Sequence, residues 1–204
     1  MSGVDLRGAL ENGFQTLGPW AYALLFAAFF FQTATPLGAA LPGNPLVFVL
    51  GLLAKTSLGV SWAAMAGLIA CAASLGAFAG YLAGRRFGPR IAAWLTARLG
   101  GSGGQARLEA FFARHGTRAV AAAFLVPFAR NFAPTFAGCS GMPFRAFALS
   151  SLAGSALWAI LFVGAGYAFG EIPWVEENLE LALLGVAAVL GLRVWLVSRR
   201  RAAA

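Results

Sequence analysis

The sequence predicts an all-α polytopic membrane protein: two re-entrant broken-helix hairpins in an inverted repeat, interfacial amphipathic helices and about three full spans. Three observations lead there. Of the 204 residues, 60% are hydrophobic and 11% charged, where soluble domains carry about 25% charged residues; the mean hydropathy is +0.77. Residues 117–143 (TRAVAAAFLVPFARNFAPTFAGCSGMP) are apolar, yet hold Pro127, Pro134 and the polar pair Arg130 and Asn131. Each proline removes a backbone donor and disfavours helix at the residue before it. Residues 29–54 (FFFQTATPLGAALPGNPLVFVLGLLA) are interrupted in the same way, by Pro36, Pro42, Pro45, Gly38, Gly43, Gln32 and Asn44. Two interrupted apolar segments in corresponding places of two halves point to a transporter-like site.

In chain order, Leu6, Leu10, Phe14 and Leu17 have helical spacing with polar residues between, which predicts a short interfacial helix over 4–17. The apolar block 18–54 is long for one span of about 20 residues and short for two. It reads as a re-entrant hairpin, or as one helix followed by a half-hairpin. Residues 62–84 form a span with a small-residue stripe (Gly67, Ala70, Ser74, Ala77, Gly80) suited to close helix packing in lipid. Residues 85–118 are a basic loop of seven arginines and one glutamate, with a flexible break at GSGG 101–104 and a second interfacial helix over 105–115. The central hairpin follows, then a span over 146–169, an acidic loop at 171–180 and a last span over 181–197. The whole is one membrane domain, with a first repeat of about 4–84, a second of about 105–170 and the C-terminal span.

Arginines at 85–118, 145 and 199–201 place those segments on the cytoplasmic side, the C-terminus included, and the 171–180 loop outside. The net charge of +8 therefore reads as topology and not as nucleic-acid binding. Cys71 and Cys139 lack CxxC or histidine partners and read as small buried thiols.

Arg130 is the lone charge between Arg118 and Arg145. An intramembrane arginine costs about 2.5 kcal/mol or more, so it asks for a reason. Its planar fork suits phosphate oxygens and stays charged at any biological pH. Half-helix N-termini would add backbone N–H groups. The alternative is that it caps the carbonyls of its own hairpin or snorkels to the interface. Catalysis finds no constellation: the intramembrane segments contain no acid, the single histidine His115 reads as a helix C-cap, and the serines have no candidate base. No enzyme activity, cofactor or metal is expected.

These residues resemble the DedA family, also called SNARE-associated or VTT-domain proteins. The resemblance rests on LPGNPLVFVLGLLAK (41–55), GYLAGRRFG (80–88), FFARHG (111–116), VPFARNFAPTFAGCSGMPFRAF (126–147) and GSALWAILFVGAGYAFG (154–170). It implies paired re-entrant hairpins, a bacterial inner-membrane location and movement of lipids such as undecaprenyl phosphate or phospholipids, coupled in some members to the proton motive force. Bacterial members usually carry two acids in the first hairpin, where this chain has Gln32 and Asn44. They also carry two arginines six residues apart in the second, where this chain has Phe124 and Arg130. Amides keep hydrogen-bonding shape but do not titrate near neutral pH, so proton coupling is expected to be lost.

The substrate-binding set expected is therefore Arg130, Asn131, Gln32, Asn44, Pro127, Pro134 and Gly43. The expected partners are membrane lipids with anionic phosphate headgroups; a homo-oligomer is compatible with this. Two other readings stand beside it: a small-solute or ion transporter on the same scaffold, and a non-transporting membrane organiser.

Overall fold

The computed structural model describes residues 16–40, 43–56, 60–99, 102–126, 129–173 and 178, with backbone but not side chains for 39–40, 56, 89, 91–99 and 102–113. Six α-helices account for most of these residues: α1 (Pro19–Ala34), α2 (Gly43–Thr56), α3 (Trp62–Leu99), α4 (Ser102–Leu125), α5 (Ala129–Cys139) and α6 (Phe144–Gly170). A 3-10 turn, Pro36–Ala40, follows α1.

Two stretches, Trp62–Gly88 and Phe144–Gly170, are 27 residues each and apolar enough to cross a bilayer. At 1.5 Å per residue each reaches about 40 Å, beyond the roughly 30 Å hydrocarbon core. The outer face of α6 presents Leu149, Leu152, Leu157, Ile160 and Leu161 to its surroundings. So large an exposed aliphatic face belongs in lipid. The expected third span, 181–197, and most of the expected helix 4–17 lie outside the described residues.

Contacts fix the directions of the helices. Phe147 of α6 stacks on Tyr81 of α3, while Ser155 meets Ser74 with 2.6 Å between hydroxyl oxygens. Later residues of one helix thus meet earlier residues of the other, so α3 and α6 are antiparallel. Helix α1 runs alongside α3 in the same sense, Phe30 against Gly76 and Ala34 against Gly80. Helix α2 follows α6, Gly51 against Val163 and Lys55 against Gly170, with Lys55 Nζ 3.8 Å from a Glu171 carboxylate oxygen at the far end. The chain therefore reverses between α1 and α2. Helix α5 also parallels α3, from Pro134 at Gly80 to Cys139 at Gly88. A partner exchange results: α1 packs on α3 and α2 on α6, whereas α4 packs on α6 and α5 on α3.

Two matching joints mark the starts of these units. Gly18 precedes α1 at φ 50°, ψ −128°, and Gly116 divides α4 at φ 52°, ψ −134°. Side chains with a Cβ rarely adopt φ in this range, so both positions need glycine to turn the chain into its first hairpin arm.

Several expectations are corrected. The basic segment 85–118 is not a loop. Helix α3 continues through it to Leu99 with a kink at Phe87, and α4 begins at Ser102, inside the expected GSGG break. Local glycine content is a weak breaker when the flanking residues (ARL and QARLEAFFAR) favour helix. Arg130 and Asn131 do not sit in an unwound gap. They occupy the first turn of α5, and Pro134 lies inside that helix. Pro134 leaves one carbonyl, that of Arg130, without its usual i+4 donor. Of the small-residue stripe, Ser74, Ala77 and Gly80 are buried while Gly67 faces open space, and Gly76 and Gly84, outside the stripe, also make close approaches. Cys71 is exposed and Cys139 half-buried, the latter donating weakly to Gly84 O at 3.5 Å.

Candidate functional site

The breaks of the two hairpins meet. Chain extends through Thr35 (φ −128°, ψ 143°) after α1, tightens into the 3-10 turn and re-enters helix at Gly43. Asn44, one residue into α2, then faces Arg130 in the first turn of α5. Arg130 Nη1 donates to Asn44 Oδ1 at 3.2 Å. The indole Nε1 of Trp158, from the middle of α6, donates to the same oxygen at 3.0 Å. The guanidinium carbon of Arg130 lies 4.2 Å from the centroid of a Trp158 ring. Phe29 lies edge-on to Trp158 with centroids 6.3 Å apart.

Arg130 is only 4% exposed. Among the described residues no carboxylate pairs with it, and the guanidinium is held by an amide oxygen and an aromatic face. Cation–π contact contributes about 2 kcal/mol or more when desolvated, but neither contact cancels the charge. A single buried cation of this kind favours an anion beside it.

Gly43 explains why the groups fit. A Cβ built there would fall on Nη2 of Arg130 and lie 2.8 Å from Gln32 Nε2. The side-chain ends of Arg130 and Gln32 therefore converge on a bare backbone position at the start of α2. Both atoms carry N–H donors. A helix of 14 residues begins at this point, and its early N–H groups also lack intrahelical acceptors. Gly43→Ala is expected to push the guanidinium off Asn44 and Trp158. The check is the indole fluorescence of Trp158 in an otherwise Trp-free background: quenching by the stacked cation should be lost in the variant while helix content stays unchanged.

Gln32, Gly43, Asn44 and Arg130 thus come together. Asn131, the next residue of α5 after Arg130, is buried at 2% exposure, with its Oδ1 lacking a partner among the described residues. Pro134 belongs to packing, against Gly80 and near Ala34. Pro127 lies outside the described residues. Trp158 was missed. Its only signal was an indole N–H in the middle of an apolar span, a donor that must find an acceptor when buried. Among the described residues no group of three or more His, Cys, Asp or Glu could hold a metal.

Lipid-length antiparallel spans, partner-exchanged hairpins and a polar centre inside the bundle define a helical membrane protein organised around paired helix breaks. The VTT domain matches residues 41–168. Protein DedA of Escherichia coli strain K12 is 35% identical over 190 residues, covering 92% of this chain and 87% of that protein. The inner membrane protein YghB of Salmonella typhimurium is 31% identical over 191 residues, 88% of this chain and 85% of the relative. A membrane protein of Mycobacterium leprae is 36% identical over 149 residues, 73% and 67% of the two chains. The chain belongs to the DedA family of VTT-domain membrane proteins. The names of the Mycobacterium leprae and Salmonella typhimurium relatives describe membrane proteins, and none of the three names states a reaction. No solved structure matches.

Proposed function

We propose that this protein moves phosphate-bearing lipids across the bacterial inner membrane, with Arg130 as the headgroup-phosphate ligand. One observation carries the reading: a buried guanidinium, facing no carboxylate among the described residues, sits where both hairpin breaks meet and where Gln32 Nε2 also points. A phosphate would accept from the guanidinium and neutralise its charge together. In this reading the hairpins are re-entrant and enter from opposite leaflets, so that the meeting point is reached from both sides as one repeat rocks against the other. In the same reading the C-terminus is cytoplasmic, which the arginine distribution supports.

The test is lipid translocation in proteoliposomes with a panel of headgroups: undecaprenyl phosphate, anionic phospholipids, zwitterionic phospholipids and a neutral diacylglycerol. Movement of the phosphate-bearing members alone supports the proposal. Movement of a small solute with no lipid translocation would replace it with the small-solute reading on the same scaffold.

The amides carry a second expectation. With Gln32 and Asn44 around Arg130, no group that titrates near neutral pH lies at the described site. Translocation should therefore run at the same rate with and without an imposed gradient of one pH unit. A rate that follows the sign of the gradient would show that coupling resides elsewhere in the chain.

A further inference from the structure

Two polar atoms in the protein core have no hydrogen-bond partner within the described protein: Asn131 Oδ1 and Ser151 Oγ, on residues 2% and 0% exposed. They lie on different helices, α5 and α6, yet the packing directs both to α3 within one turn of each other. Ser151 is one turn from Phe147, which stacks on Tyr81 with ring centroids 4.6 Å apart. It is one turn from Ser155, which is hydrogen-bonded to Ser74. Residues four apart share a helix face, so Ser151 faces α3 between Ser74 and Tyr81, at Ala77. Asn131 precedes Thr135, which meets Gly84, by one turn, and Pro134, which meets Gly80, by three residues. Since α5 and α3 are parallel, Asn131 also faces α3, between the level of Ala77 and that of Gly80. Ala77 is fully buried and carries the smallest side chain with a Cβ.

Ser151 also declines the usual local alternative. Ser150 donates to Ala146 O at 2.9 Å, and Ser155 lies 3.1 Å from Leu152 O. The Ser151 hydroxyl is turned to neither kind of backbone acceptor. Buried polar groups are nearly always satisfied, and those without protein partners are typically bridged by ordered water.

We infer that a buried water site lies beside Ala77, where one water molecule donates to Asn131 Oδ1 and bonds Ser151 Oγ. The water ties the first turn of α5, which carries Arg130, to α6, which carries Trp158. It is a second link between the two helices whose side chains stack in the polar centre. Asn131 and Ser151 act here as positioning residues, and the inference is independent of what the protein transports.

A double-substitution cycle on thermal stability in nanodiscs, without substrate, tests it. Ser151→Ala and Asn131→Leu should each lower Tm by about 2–4 °C, because each leaves the other group unsatisfied. The double variant should lose no more than the worse single one, since it leaves no orphan. A third variant guards against misfolding of Asn131→Leu: Ala77→Ser supplies a hydroxyl in place of the water and should restore the Tm of Ser151→Ala. Strictly additive losses in the cycle, or no restoration by Ala77→Ser, overturn the inference. So does a high-resolution map in which Asn131 and Ser151 each bond protein groups directly; a map with one oxygen bridging them supports it.

Discussion

Arg130→Ala is expected to reduce lipid translocation at least about ten-fold while leaving the folded protein as stable as wild type. The loss follows from chemistry: a charge-assisted hydrogen bond to an anion contributes about 1.5–3 kcal/mol, and about 1.4 kcal/mol is a factor of ten in rate. The retained stability follows from the same burial that makes the residue useful. The guanidinium is 4% exposed and faces no carboxylate among the described residues. Removing it relieves a desolvation cost of about 2.5 kcal/mol or more, which offsets the lost stacking on Trp158 and the cavity left behind. Asn44 Oδ1 keeps its bond from the Trp158 indole. Arg130→Lys should fall between the two, because an ammonium keeps the charge but loses the planar fork. Translocation assays paired with melting curves separate these outcomes. A variant that melts early would assign Arg130 to folding, and one that transports normally would remove it from the site.

The largest stability effect is expected from Gly138→Val. A Cβ at Gly138 would land on the Tyr81 carbonyl and lie 2.8 Å from the Arg85 backbone nitrogen. Both are backbone atoms of α3 and cannot swing aside. On the facing helix, Gly84 meets the Thr135 carbonyl in the same way, so two glycines set the separation of α3 and α5 reciprocally. In lipid, where burial gives little drive, such close approach is the main source of helix association. Forcing the pair apart should cost about 3 kcal/mol, the upper part of the overpacking range. It would also drag Arg130 away from Asn44, which sits on a different packing partner. Gly67→Val is the control: nothing lies within 4 Å of a Cβ there, and the variant should melt within a few degrees of wild type. Equal effects at the two positions would refute this account of the packing.

Residue chemistry alone exposed a good deal of this protein. Low charge, two proline-broken apolar stretches and an unaccompanied arginine pointed to a membrane bundle with paired breaks. The family motifs then marked Gln32, Asn44 and Gly43. These features are legible because a bilayer penalises charges and open backbone wherever they stand along the chain. Helix boundaries were less so. The arginine-rich 85–118 reads as loop by charge, yet Leu99 still ends a helix and Ser102 starts one, because charge reports the side of the membrane and not the backbone conformation. Likewise Pro134 reads as a break but is held inside α5 by its contact at Gly80.

Only the tertiary structure decided which groups touch. Trp158 lies 28 positions after Arg130 and 114 after Asn44, and sequence spacing carries no trace of their contact. That contact exists because α2 packs on α6 while α5 packs on α3, an exchange of partners between the two hairpins. Which glycines set helix separation, Gly84 and not Gly67, depends on the rotation of each helix about its axis. Sequence determines that small residues recur every three or four positions, but the facing helix chooses the row it uses.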